Sequence, residues 1–137
     1  MSRLRALLGV LCGVILVGSA AAHSLLGWPA LRGQLERGGA APDLVTGLSI
    51  GWHFAGMAIL LFGILALWQF GAMLKGHAVS LRPLVLVGAA YAAFGVWALV
   101  VGQMNPFFLI VFVVPGILLA IAAWDGRPAS ATRPIDA

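Results

Sequence analysis

Four long apolar segments, uncharged except at their extreme ends, constrain this chain more than any other feature. We predict them to be helices over residues 4–26, 44–74, 83–102 and 106–124. Each reaches the roughly 17–25 residues that a helix needs to cross the hydrocarbon core of a bilayer, and the second segment is longer than this. Strands are excluded because polar and apolar residues do not alternate and the segments are too long. The predicted fold class is all-α, an integral membrane four-helix bundle.

Composition supports a membrane protein and excludes a nucleic-acid partner. Apolar residues make up 62% of the chain and charged residues 9%, whereas soluble domains average about 25% charged residues. The net charge is +4, but no two of the eight Lys and Arg residues are adjacent. A phosphate backbone needs a basic patch, so we expect the lipid bilayer, rather than nucleic acid, as the main partner.

The chain is predicted to form one domain over residues 1–126. Residues 27–43 are polar and rich in Gly and Pro, so we expect a loop there. Residues 127–137 contain Pro, Ser and Thr, and we expect a disordered cytoplasmic tail.

The basic residues predict the orientation, because loops rich in Lys and Arg stay in the cytoplasm. Arg32 and Arg37, on one side, are offset by Glu36 and Asp43. The other side would hold Arg3, Arg5, Lys75, Arg82, Arg127 and Arg133. We therefore expect a multi-pass membrane protein with both termini in the cytoplasm.

Residues 1–22 also fit a cleavable signal peptide, with two arginines, an apolar core and small residues at positions 19–22. Cleavage would leave three helices and a new terminus at His23. We expect a retained helix instead, because the apolar run resumes at Leu25 and Leu26.

Polar side chains within the spans cluster on the side away from the termini. Thr46, Ser49, His53 and Met57 follow helical spacing, so they form a stripe that we expect to face the bundle. The candidate ligand or cofactor residues are His23, Ser49, His53, Met57, Gln103 and Asn105.

These residues leave three interpretations open. His23 and His53 could together ligate a metal or haem iron, with Met57 or Met104 as a soft ligand. They could instead contact a quinone, a lipid or another small molecule. The pattern favours a third interpretation, in which His53 forms a hydrogen bond that fixes helix packing and His23 lies at the interface. The sequence does not identify a cofactor.

The sequence favours a non-enzymatic protein. It has no glycine-rich phosphate loop after a strand, and none of its four acidic residues lies within a span, as a Ser–His–acid set or a proton pump would need. The leading hypothesis is a subunit that binds a small ligand or a membrane partner. One alternative is a redox-associated protein that binds haem, copper or quinone through the two histidines. Another is an oligomeric channel or carrier.

Three short motifs carry a resemblance to known proteins. They are residues 51–57 (GWHFAGM), the pair Phe94–Gly95, and residues 115–119 (PGILL) with the following segment to Trp124. In these the chain resembles small uncharacterised four-helix proteins of bacterial inner membranes, and its layout is similar to the DoxX-like group. The resemblance implies a helical bundle and a location in the bacterial inner membrane, and it supplies no catalytic residues.

Overall fold

The computed structural model describes residues 3–124, which form four helices and no strand. The helices are α1 (Arg3–Arg37), α2 (Pro42–Leu74), α3 (Arg82–Val101) and α4 (Pro106–Ala123). All four are long and apolar enough to cross a membrane. This confirms the predicted all-α four-helix fold and agrees with a multi-pass membrane protein. The expected tail at 127–137 lies outside the described residues.

The bundle consists of two antiparallel hairpins. Helix α1 packs along α2, and α3 packs along α4. The hairpins meet mainly through α1 and α4, with sparse contact between α2 and α3. We call the end that carries Arg3 and the turn between α2 and α3 the basic end, and the opposite end the distal end.

Glycines allow the helices within each hairpin to approach closely. A Cβ atom at Gly88 would lie 2.6 Å from the backbone nitrogen of Ala120, and one at Gly116 would lie 2.5 Å from that of Ala92. A Cβ atom at Gly63 would lie 2.9 Å from the backbone nitrogen of Val17. Because backbone atoms cannot move aside, a larger residue at any of these glycines would force the helices apart.

The basic half of the bundle holds the densely packed core. Its largest fully buried side chains are Cys12, Phe70, Leu84 and Leu119. The guanidinium of Arg5 donates hydrogen bonds to the backbone oxygens of Ile121, at 3.0 Å, and Trp124. Arg5 thus binds the last carbonyls of α4, where a cation also interacts favourably with the helix dipole.

The first hairpin is much longer than the second. Helices α1 and α2 have 35 and 33 residues, whereas α3 and α4 have 20 and 18. At 1.5 Å per residue, α1 and α2 project about 20 Å beyond the second hairpin at the distal end. The projecting segment Trp28–Arg37 buries no residue and packs against α2.

The predicted loop over residues 27–43 is therefore wrong. The helix continues to Arg37, and only residues 38–41 form the turn before α2. Pro29 does not end the helix because the preceding turn widens.

Two π-helical turns interrupt the α-helices, one at His23–Gly27 and one at Leu109–Val113. Each is followed two residues later by a proline, Pro29 or Pro115. Proline lacks an N–H and its ring clashes with the carbonyl four residues earlier, and a wider turn relieves both problems. In α4, the π turn at Leu109–Val113 accommodates Pro115 in this way.

Candidate functional site

A cleft separates the two hairpins in the distal half of the bundle. It consists of two cavities, of about 540 Å³ and about 300 Å³. Residues from all four helices line both cavities: His23, Ile59, Tyr91, Phe94 and Phe112. The smaller cavity lies between α2 and α3, where contacts are sparse, so the cleft opens sideways toward the surface that lipid would cover.

One wall of the cleft is a cluster of aromatic rings from α3 and α4. The ring of Phe112 lies 5.3 Å from that of Tyr91, 5.1 Å from that of Phe94 and 6.4 Å from that of Phe108. The π turn of α4 carries Phe112, and Phe108 directly precedes that turn. These rings give the wall a flat, apolar character suited to stacking.

The opposite wall is formed by His23 and Trp52, which join α1 to α2. Their rings stack with centroids 4.2 Å apart. The indole Nε1 of Trp52 donates to the backbone oxygen of His23 at 2.8 Å, and His23 Nε2 lies 3.1 Å from the backbone oxygen of Trp52. In the neutral imidazole, this second contact places the proton on Nε2, and Nδ1 is then an acceptor. Because His23 opens the π turn of α1, this turn also borders the cleft.

The cleft contains few polar groups. The Tyr91 side chain is 8% exposed, and its hydroxyl has no hydrogen-bond partner among residues 3–124. Ser19 also lines the larger cavity, and its hydroxyl makes no hydrogen bond within the described part of the chain. A mostly apolar cavity with a few polar groups is the usual form of a small-molecule site.

The predicted polar stripe on α2 does not face the bundle. Thr46, His53 and Met57 are exposed, and Ser49 is only half-buried. Helix α2 turns its small residues and Ile59 toward α1, so the stripe lies on the outer surface. The expectation that these residues face the bundle is therefore corrected, although they do lie in the distal half.

The two histidines have different neighbours. His53 Nδ1 donates to the backbone oxygen of Ser49 at 2.8 Å, and the His53 ring packs edge-on against Trp28. His23 instead faces the cleft and stacks on Trp52. No group of three His, Cys, Asp or Glu residues that could hold a metal occurs between residues 3 and 124. A metal or haem site on His23 and His53 stays a prediction.

The remaining candidates lie in the turn between α3 and α4. The side chain of Asn105 accepts a hydrogen bond from the backbone nitrogen of Phe107 at 3.0 Å and so caps α4. Gln103 and Met104 are exposed, and both have a positive φ. None of the three lines the cleft cavities, so the turn contributes to helix termination rather than to the site.

Sequence reasoning found His23 but missed the rest of the cleft. Tyr91 and the phenylalanines of α3 and α4 are not among the residues that the sequence predicts for the site. A signal does exist: Tyr91 with Phe94, and Phe108 with Phe112, have the spacing of one helical face. Which helix each pair faces depends on the pairing of the hairpins, which the sequence does not contain.

No family model, curated protein or solved structure matches this chain. The resemblance to DoxX-like proteins in layout stays a prediction.

Proposed function

We propose that this chain is a non-enzymatic membrane protein that binds a small lipophilic molecule in the cleft between its two hairpins. The observation that carries the proposal is the contrast within the bundle. The basic half holds the fully buried core, and its cavities, of about 370 and 310 Å³, border only α2, the turn after it and the start of α3. The distal half instead has a cleft of about 540 Å³, joined to a second cavity, that is lined by residues of all four helices. Small-molecule sites occupy about 300–1,000 Å³ and are lined in this way.

The π turns support the same proposal. The two distortions lie on different helices, α1 and α4, and both border the cleft. π turns occur frequently at functional sites, and here they place His23 and Phe112 on opposite walls.

We also propose that the protein lies in a bacterial inner membrane with the basic end in the cytoplasm. Arg3, Arg5, Lys75 and Arg82 all lie at this end, as the positive-inside rule requires. The cleft would then lie in the outer half of the bilayer, open to lipid between α2 and α3.

The test is binding of a fluorescent apolar probe to the full-length protein in lipid nanodiscs. The probe is 1-aminoanthracene, a flat molecule whose absorption overlaps tryptophan emission. Trp52 lines the larger cavity, so saturable energy transfer from tryptophan to the probe is the expected result.

A matched pair of variants locates the binding. Ala22→Phe adds bulk to the larger cavity and should abolish the saturable component, whereas Ala21→Phe changes a neighbouring exposed alanine that does not line it. Energy transfer that never saturates, or that survives equally in both folded variants, would contradict the proposal.

A further inference from the structure

We propose that the molecule bound in the cleft is a neutral ring that carries a carbonyl oxygen, of the quinone class, and that the hydroxyl of Tyr91 donates a hydrogen bond to this carbonyl. The inference rests on the proposed function and adds the chemistry of the ligand and the residue that selects it.

The first argument is the unsatisfied donor. Buried hydroxyl groups nearly always have a hydrogen-bond partner, and a hydroxyl left without one in a membrane has no water to replace it. The hydroxyl of Tyr91 is such a group, since it is buried without a partner among residues 3–124. A ligand acceptor oxygen would satisfy it.

The second argument is depth. Tyr91 is the tenth of the 20 residues of α3, so it lies about 15 Å from either end of the helix, near the middle of the bilayer. The ester carbonyls of a phospholipid lie at the edge of the hydrocarbon core, again about 15 Å from its centre. A quinone has no charged headgroup and can carry its carbonyl to the depth of Tyr91.

The third argument is the lining of the cleft. Neither cavity is lined by Asp, Glu, Lys or Arg, so an ionised headgroup would lack a counter-charge. Phe94, Phe108 and Phe112 instead offer flat surfaces for an aromatic or quinonoid ring.

The side chain of Tyr91 lines both cavities, but its hydroxyl oxygen is buried and not in direct contact with the open space. The ligand must therefore part the hairpins slightly or turn the ring to reach it. The sparse contact between α2 and α3 permits such a movement.

The experiment compares two ring compounds with the same carbon skeleton, one with the quinone carbonyls and one without them. 2,3-Dimethyl-1,4-naphthoquinone and 2,3-dimethylnaphthalene are each used to displace 1-aminoanthracene from the protein in nanodiscs, with correction for partition into lipid. The quinone should bind the native protein about tenfold more tightly, the equivalent of about 1.4 kcal/mol. In Tyr91→Phe this preference should disappear, while the affinity for the hydrocarbon stays the same.

Two further readouts separate this role from simple packing. The infrared carbonyl stretch of the bound quinone should shift to lower frequency in the native protein and return in Tyr91→Phe. Without ligand, Tyr91→Phe should unfold at an equal or higher temperature, because removal of an unpartnered buried hydroxyl relieves its desolvation cost.

The outcomes distinguish the two proposals. If 1-aminoanthracene never binds saturably, the proposed function fails. If it binds and both ring compounds displace it equally, the cleft binds apolar molecules but the quinone inference is overturned. If the native protein shows no preference for the quinone and a phospholipid copurifies in the cleft, the inference is likewise overturned, in favour of a lipid.

Discussion

The basic half and the distal half of this bundle contain the same kinds of residue but differ in how those residues pack. In the basic half, Phe70 lies fully buried over Gly9, and Arg5 joins α1 to the end of α4. In the distal half, phenylalanines of similar size leave cavities of about 540 and 300 Å³ between the hairpins. Cavities of about 370 and 310 Å³ at the basic end border only α2, the turn after it and the start of α3, whereas the distal cavities are lined by residues of all four helices. We infer that the basic half stabilises the fold and that the distal half binds.

Removal of a core ring should have the largest effect. We expect Phe70→Ala to lower the free energy of unfolding by about 3 kcal/mol, because Gly9 has no side chain that could fill the void left by the ring. The matched variant Phe94→Ala removes a ring from the cleft, where the side chain is 48% exposed, and should cost about 1 kcal/mol. Unfolding by denaturing detergent measures both. Equal losses would remove the distinction between the two halves.

A bulky side chain at the close contact between α3 and α4 should have the second-largest effect on stability. We expect Gly88→Val to destabilise the protein by about 2 kcal/mol, because its Cβ would meet backbone atoms of α4 at 2.6 and 2.7 Å. Gly18→Val is the control, since no atom lies within 4 Å of a Cβ there. Thermal unfolding in detergent measures the difference. If Gly88→Val unfolds at the same temperature as Gly18→Val, α3 and α4 pack less tightly at Gly88 than the distances indicate.

Weakening the contact between α1 and α2 beside the cleft should lower the stability by a smaller amount. Trp52→Phe keeps a ring but removes the hydrogen bond to the backbone of His23, so we expect a loss of about 1 kcal/mol. Trp68→Phe makes the same change at a side chain that is 73% exposed and should have little effect. Probe affinity should fall only in the first variant. If it falls in both, Trp52 has no special role in the wall.

The smallest effect is expected at the end of α4. Arg5→Gln removes the hydrogen bonds to its last carbonyls and should cost about 0.5–1 kcal/mol. Arg3→Gln removes the same charge at a neighbouring exposed position, so the difference between the variants reports the hydrogen bonds of Arg5. Stability at two salt concentrations provides the check: equal effects of both variants would attribute the loss to charge rather than to the bonds to α4.

Hydropathy was sufficient to predict the four helices and their number, because the bilayer requires length and apolar character. It was insufficient for residues 27–43, where Pro29 and several polar residues indicated a loop. The π turn at His23–Gly27 accommodates Pro29, and the helix continues. Pro29 gave a wrong prediction because the wider turn just before it removes the steric clash that would otherwise end the helix.

The candidate site was harder to predict for a different reason. Periodicity places His53 and Met57 on one face of α2, but it does not say which face α1 covers. The glycines Gly56 and Gly63 decide that, because α1 approaches most closely where no side chain intervenes. His53 is consequently turned outward, while His23 and Tyr91 border the cleft.

The unequal length of the hairpins has a structural consequence. Helix α1 is continuous from the cleft to the projecting turn, and its π turn lies between Ser19 and Arg37. The arm from Gly27 to Arg37 is about 15 Å long, and the arm from Gly27 back to Ser19 is about 12 Å long. The segments on both sides of this turn pack against α2. The cleft wall and the projecting tip are therefore parts of one continuous helix, and a molecule bound at the tip would contact the same helix that forms the wall.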